Sequence, residues 1–343
     1  MNHGNMNSDT LISVKHLWRY YDHFCAVKDI SFEVKRGQIL GFLGPNGAGK
    51  STTMQILTGT LAPSLGEVAV GGYDLLDQPL AAKQALGYLP EHPPLYHDMR
   101  VDEFLKFCAN LHHLPSAEVT TAVNRVIDQC GLTGVRKRLI GNLSKGYQQR
   151  VGIAQAIVHT PSVVILDEPT IGLDPIQIRE IRDLIRQLGQ AHSVILSTHI
   201  LSEVQALCSQ VQIINHGQLV LTDTIEGLFS QIRTTHLQVG LRRPPAIEQL
   251  RQIREVEAVE VIDETHFRLR HSADHNPAEE LVEKSVANQW GLFELVPEKR
   301  SLEQIFVELT RTEVAINEPT MTTTSPLSDN LSTDLILKVK EAA

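Results

Sequence analysis

A chain of 343 residues is long enough for one large α/β domain plus something smaller, since domains usually run to about 100–200 residues. With 31 Lys and Arg against 40 Asp and Glu the formal net charge is −9, which sets the bulk of the molecule against a polyanionic partner such as nucleic acid. Cys25, Cys108, Cys130 and Cys208 lack CxxC spacing and read as buried thiols of a reduced cytosolic protein, while the polar N-terminus and the lack of any apolar run of about 20 residues predict neither secretion by a leader nor a membrane span.

In chain order, Leu11 to Val14 and Ser31 to Val34 read as strands, and Tyr20 and Tyr21 lie between them, either one able to stack on an adenine ring or to pack on its own sheet. The turn Lys35-Arg36-Gly37-Gln38 leads into the apolar run Gln38 to Leu43, a buried strand. Next comes Gly44-Pro45-Asn46-Gly47-Ala48-Gly49-Lys50-Ser51, which fits GxxxxGK(S/T) and is followed by a helix from Ser51 through Thr52 to Leu57. Strand, glycine turn and helix make a site for a nucleoside triphosphate. The glycines let backbone N–H groups approach phosphate oxygens, the helix N-terminus adds positive charge, Lys50 reaches the outer phosphates and the Ser51 hydroxyl ligates magnesium.

A further strand, Gly66 to Val70, ends at Gly71-Gly72, and from Leu95 to about Thr160 the spacing turns helical. At the end of that stretch Ser144 stands as an N-cap before a helix running to Val158. Val163 to Leu166 then form an apolar strand tipped by Asp167 and Glu168, as in a parallel strand whose C-terminal end opens on a ligand. Asp167 is suited to hold magnesium and Glu168 to orient or deprotonate the attacking water. Gly172-Leu173-Asp174-Pro175 turns into another helix, and the strand Ser193 to Ser197 delivers Thr198 and His199 to the same edge, with His199 placed to contact the γ-phosphate.

In this order the motifs of Leu11 to Thr224 resemble the ATP-binding subunit of an ABC transporter. The resemblance implies a P-loop ABC cassette of α/β class, with a mixed sheet core, an antiparallel β layer and a helical subdomain at about 95–160. It assigns Tyr21 to the adenine, Glu91 to the coupling loop and the metal, Leu143 to Tyr147 to the signature with Ser144 and Gly146 as its phosphate contacts, Asp174 to the D-loop and His199 to the switch. Two residues depart from the usual pattern. The signature reads Leu143-Ser144-Lys145-Gly146-Tyr147 in place of LSGGQ, and the coupling loop offers Glu91 where Gln is usual, as in a branch serving exporters of drugs, polysaccharides and motility-related cargo. A carboxylate at Glu91 can face the metal but donates no amide hydrogen bond. The implied activity is ATP hydrolysis with ATP and Mg2+ as cofactors. The implied partners are a second copy of the cassette, paired head to tail, and an integral permease docked near Glu91 to Phe107, which places the chain peripherally on the cytoplasmic face of the inner membrane. The rival reading is a soluble ABC-type ATPase of DNA repair or translation; a single phosphate loop, no sustained heptads and the negative charge weigh against it.

Beyond the cassette, placed at residues 8–226, the pattern is β-α-β-β-α-β: strands His236 to Leu241, Val256 to Ile262, His266 to Leu269 and Gly291 to Val296, helices Pro245 to Ile253 and Pro277 to Gln289. That order predicts a small α+β domain of split-βαβ type over 227–311, closed by a helix Ser301 to Thr310 and serving as scaffold or dimer support. His271 and His275 fall in an expected solvated loop, and the polar residues 312–343 in an expected disordered tail with a short helix near Leu335.

Overall fold

A computed structural model describes residues 9–231, 236–272, 276–298 and 306–307. The chain opens with two long antiparallel strands, β1 (Thr10–Tyr21) and β2 (Phe24–Lys35), and then enters β3 (Ile39–Leu43), the phosphate loop and α1 (Lys50–Leu57). β4 (Leu65–Val70) and β5 (Tyr73–Asp74) add to the first two strands in the order β2-β1-β4-β5. The first strands are much longer than the sequence predicts. Register shifts around His16, whose φ is 48°, interrupt the alternation of apolar residues along β1, and the strand continues past the break.

After α2 (Pro79–Gln84) and β6 (Leu86–Leu89) the chain leaves the sheet for a helical excursion, α3 (Val101–Leu111), α4 (Ser116–Gln129) and α5 (Lys145–Ile157). It returns as β7 (Val163–Asp167), α6 (Pro175–Ala191), β8 (Ser193–Thr198), α7 (Leu201–Leu207), β9 (Gln210–Asn215), β10 (Gln218–Thr224) and α8 (Ile225–Gln231). The central sheet has the order β10-β9-β3-β8-β7-β6, parallel except for β10.

Both faces of this sheet are covered, and the strands divide their side chains between two cores. Leu40 and Phe42 of β3, Val163 and Ile165 of β7 and Ile195 of β8 face the core shared with the first sheet and α1. Leu43, Val164, Leu166, Val194 and Leu196 face the core shared with α3 to α7. Alternation of period two is what lets one apolar strand serve both layers. Helix α6 meets its layer with Ile181, Leu184, Ile185 and Leu188, spaced as one helical stripe.

The parallel register sets the site. Leu43 pairs with Thr198, Asp167 with Ser197 and Leu89 with Leu166, so β3, β8, β7 and β6 end side by side. The segments that follow these four ends are the phosphate loop, His199, Glu168 and Glu91, brought to one edge from positions far apart in sequence.

The rest of the described chain forms β11 (His236–Leu241), α9 (Ile247–Arg251), β12 (Val256–Val261), β13 (His266–His271), α10 (Ala278–Ala287) and β14 (Leu292–Glu298). These strands make an antiparallel sheet of order β12-β13-β11-β14 with its own core, in which Leu237, Val239, Phe267 and Leu269 meet Leu250 of α9 and Leu281 of α10. His271 does not lie in a solvated loop. It continues β13 two residues past Leu269, on the buried side shared by Phe267 and Leu269, and is 4% exposed. His275, the tail 312–343 and most of the closing helix lie outside the described residues; Phe306, helical, packs on the large core formed by α3 to α7.

Candidate active site

Two glycines of the phosphate loop stand where no side chain fits. A Cβ on Gly44 would stand 2.4 Å from the Ile214 carbonyl oxygen, and Gly49 combines φ 106° with a Cβ position 2.6 Å from the Ala26 carbonyl oxygen. The Ala48 carbonyl accepts from Gly217 N–H at 2.9 Å, tying the loop to the β9–β10 turn. Lys50 begins α1 and is 6% exposed, its Nζ donating to the Gly44 carbonyl at 2.9 Å and to the Pro45 carbonyl at 3.3 Å. The same Nζ lies 3.7 Å from a Glu168 oxygen, and burial lowers the lysine pKa against the pull of that carboxylate.

Glu168 leaves β7 in the left-handed region, φ 48°, a conformation that costs a non-glycine residue on the order of 1 kcal/mol or more. Its own N–H donates to the Ser197 carbonyl at 2.8 Å and fixes the turn. His199 Nδ1 lies 2.9 Å from both Glu168 oxygens. Asp167, one residue earlier, is buried, and its Oδ1 has no hydrogen-bond partner among the described residues. Burial pushes its pKa up, with the charges of Glu168 and Glu91 acting the same way and Ser197 and Lys50 opposing. An orphaned carboxylate oxygen, with the Ser51 hydroxyl and Glu91 facing the adjoining cavity, is a donor set that suits a hard divalent cation such as magnesium.

That cavity, about 450 Å³, is lined by Asn46, Gly47, Gly49, Lys50, Ser51 and Thr52 on one side and by Glu91, Glu168 and His199 on the other. Tyr21, Phe24 and Ala26 line it as well. Register decides between the two tyrosines: Tyr20 stacks on Trp18 at 5.9 Å, whereas Tyr21 turns to the cavity with Arg19 over its ring at 4.7 Å.

Ser144, Gly146 and Asp174 are not in this cavity. They line a second one, of about 470 Å³, between the starts of α5 and α6. Asp174 caps α6 by accepting from the Ile176 and Gln177 N–H groups at 3.0 and 2.9 Å. Ser144 holds the N-cap position of α5, as the sequence predicts, but its hydroxyl makes no capping bond, and the residue is exposed.

The profile of a family described as ABC transporter matches residues 27–171. An uncharacterized ABC transporter ATP-binding protein of Bacillus subtilis, YxlF, is 37% identical over 232 residues, 68% of this chain and 77% of that one. The chain belongs to the ATP-binding subunits of ABC transporters. A second relative in this family, the linearmycin resistance ATP-binding protein LnrL of Bacillus subtilis, is 31% identical over 306 residues, 88% of this chain and 98% of that one. The solved structure of CbiO1 from Clostridium perfringens, described as part of the ABC transporter complex cbiONQ, superposes with a TM-score of 0.60 at 29% identity, covering 65% of this chain and 92% of that one. The fold is thus that of a P-loop ABC cassette, and the chain is an ATPase.

Sequence reading passed over three cavity residues of this ATPase, Phe24, Ala26 and Ile171, and one buried acid behind the cavity. Glu203, on α7, accepts hydrogen bonds from the Thr170 and Thr198 hydroxyls. A Glu in a short helix carries no sequence signal that separates it from a surface acid.

Proposed function

We propose that this chain is the ATP-hydrolysing subunit of an ABC exporter, working as a head-to-tail pair around two Mg-ATP and driving a separate membrane permease. The observation that carries the reading is the separation of the two cavities. The phosphate loop with Lys50 and Glu168 occupies one, and Ser144, Gly146 and the start of α5 occupy the other, so each half-site calls for its complement from a second copy.

In the pair, backbone N–H groups of Gly44 to Ser51 hold the phosphates with Lys50, and Tyr21 stacks on the adenine. Ser51, Asp167 and Glu91 would hold magnesium, which when bound neutralises charge building on the transferred phosphoryl group. Glu168 takes the proton of the attacking water and His199 holds the Glu168 carboxylate in place while facing the γ-phosphate. Ser144 and Gly146 of the opposing copy cover the nucleotide, and loss of phosphate removes the charge bridging the halves.

Export is favoured by likeness to LnrL, named for resistance to linearmycin, over nearly the whole length of that protein. Among the described residues no helix is long and apolar enough to cross a membrane, and in this reading the separate permease supplies the path for cargo. Tyr96, Leu111 and Leu139, between β6 and α5, are exposed, with Phe107 edge-on to Tyr96 at 5.6 Å, apolar residues fit to meet a permease on the cytoplasmic face. We place the division between the cassette and the accessory domain after Gln231. The boundary read from sequence, 226/227, cuts α8, whose Leu228 is buried in the large core.

The decisive experiment isolates the chain from native membranes, identifies the integral protein that accompanies it and measures Mg-ATP turnover of the complex. A nucleic-acid-bound soluble protein in that preparation, with no integral partner, would overturn the exporter reading.

A further inference from the structure

Glu203 is the only acidic residue of α7, and its side chain is 1% exposed. Helix α7 can bring it so deep because Gly41 leaves room above β3: a Cβ there would stand 2.6 Å from Val204 Cγ1. One carboxylate oxygen accepts from Thr170 Oγ1, two residues beyond Glu168. The other accepts from Thr198 Oγ1 at 2.9 Å, one residue before His199. Thr198 Oγ1 also accepts from Ile200 N–H at 3.1 Å, so its proton is directed at Glu203. Arg182 of α6, the helix capped by Asp174, approaches the Thr170-facing oxygen at 3.9 Å.

One buried carboxylate therefore joins the segment after Glu168, the strand end before His199 and the helix that follows the D-loop. We propose that Glu203 is a positioning residue of the hydrolytic site, holding Thr170 and Thr198 so that the Glu168 carboxylate meets His199. The proposal rests on the reading of Glu168 as the group that takes the proton of water. Glu203 does not line the cavity; it acts through two threonines. Both threonines donate, and a carboxylate accepts both. An amide has one accepting oxygen, so Glu203→Gln matches its shape and leaves one hydroxyl facing an N–H2 group.

The test uses the full chain with its membrane partner, in native form and as Glu203→Gln and Thr170→Val. Steady-state phosphate release should show kcat down about tenfold in E203Q and less in T170V, with KM for ATP within about twofold of native, since misplacement of a reacting group costs rate and not binding. ATP should raise the melting temperature of both variants as it does the native chain. Native-like kcat in E203Q overturns the proposal. So does a variant that loses the ATP-induced shift, or in which KM rises with kcat unchanged, because Glu203 then supports the fold or the nucleotide pocket at large. A native complex without Mg-ATP turnover overturns the parent reading of Glu168, an outcome distinct from native turnover with E203Q unchanged.

Discussion

His199 Nδ1 stands 2.9 Å from each oxygen of Glu168, so the imidazole N–H and the carboxylate form one unit at the ends of two adjacent strands. Such an arrangement holds the carboxylate in one orientation, which the proposed role of Glu168 in taking a proton from water calls for. Glu168→Gln keeps the shape and an accepting oxygen for His199 but loses the basic carboxylate. Turnover should fall by about 10²-fold or more while ATP still raises the melting temperature. With hydrolysis blocked, the variant should collect as a dimer on adding magnesium and ATP, which sedimentation would register. Retained turnover would move the role to Glu91, the other acid lining the cavity.

Lys50→Ala removes the buried cation facing both the loop carbonyls and Glu168. Phosphate charge then goes uncompensated, and ATP affinity should fall by tenfold or more, on the order of 1.4 kcal/mol, with turnover lost. Equilibrium binding of a fluorescent ATP analogue measures the first effect and phosphate release the second.

What could be read from sequence was chemistry spelled out by contiguous residues or by clean periodicity. Gly44 to Ser51 falls between a strand and a helix as expected, and the β-α-β-β-α-β order appears as β11 to β14 with α9 and α10. What escaped depends on register or on burial. Bulges near His16 hid most of β1, and the residues alone left Tyr20 and Tyr21 equivalent: Tyr21 came from the family resemblance, and the register sets it opposite Phe24 on the cavity. His271 was misplaced because β13 outlasts its obvious apolar residues. Glu203 escaped because a charge deep under a sheet is spelled like a charge on a surface.

Asp167 and Asp102 should titrate with opposite consequences for stability. Burial raises the Asp167 pKa, so its contribution is favourable below the ordinary carboxylate pKa of about 4 and is lost as pH rises through the folded value. Burial acts the same way on Asp102, but Lys137 at 2.7 Å with Arg100 and Arg136 holds it below the usual range, so its contribution is present above about pH 4 and lost as pH falls through the folded value. At pH 7 without nucleotide, Asp167→Asn should raise the melting temperature by about 2–4 °C and Asp102→Asn lower it by about as much, each difference shrinking toward pH 4. In D167N the extra stabilisation by Mg-ATP over ATP alone should be lost. Scanning fluorimetry across pH with and without the metal reads both signs.

Ending the chain after Gln231 should leave a folded ATP-binding cassette. Ile225 and Leu228 of α8 are buried in the large core, so a cut at 226/227 would strip Leu228, a loss of about 1.5–3 kcal/mol for a fully buried leucine, whereas a cut after α8 keeps it. The sheet β12-β13-β11-β14 keeps its own apolar residues, from Leu237 to Trp290, in a core separate from the two cores of the cassette. Among the described residues the apolar contact forfeited is Phe306, partly buried against the large core, which predicts a modest fall in melting temperature and an undiminished rise on adding Mg-ATP. Calorimetry of the full chain and of residues 1–231, each with and without Mg-ATP, separates the two effects. If the shortened chain gained nothing from nucleotide, the core of the C-terminal sheet would be part of the ATP-binding unit and the division after Gln231 would be wrong.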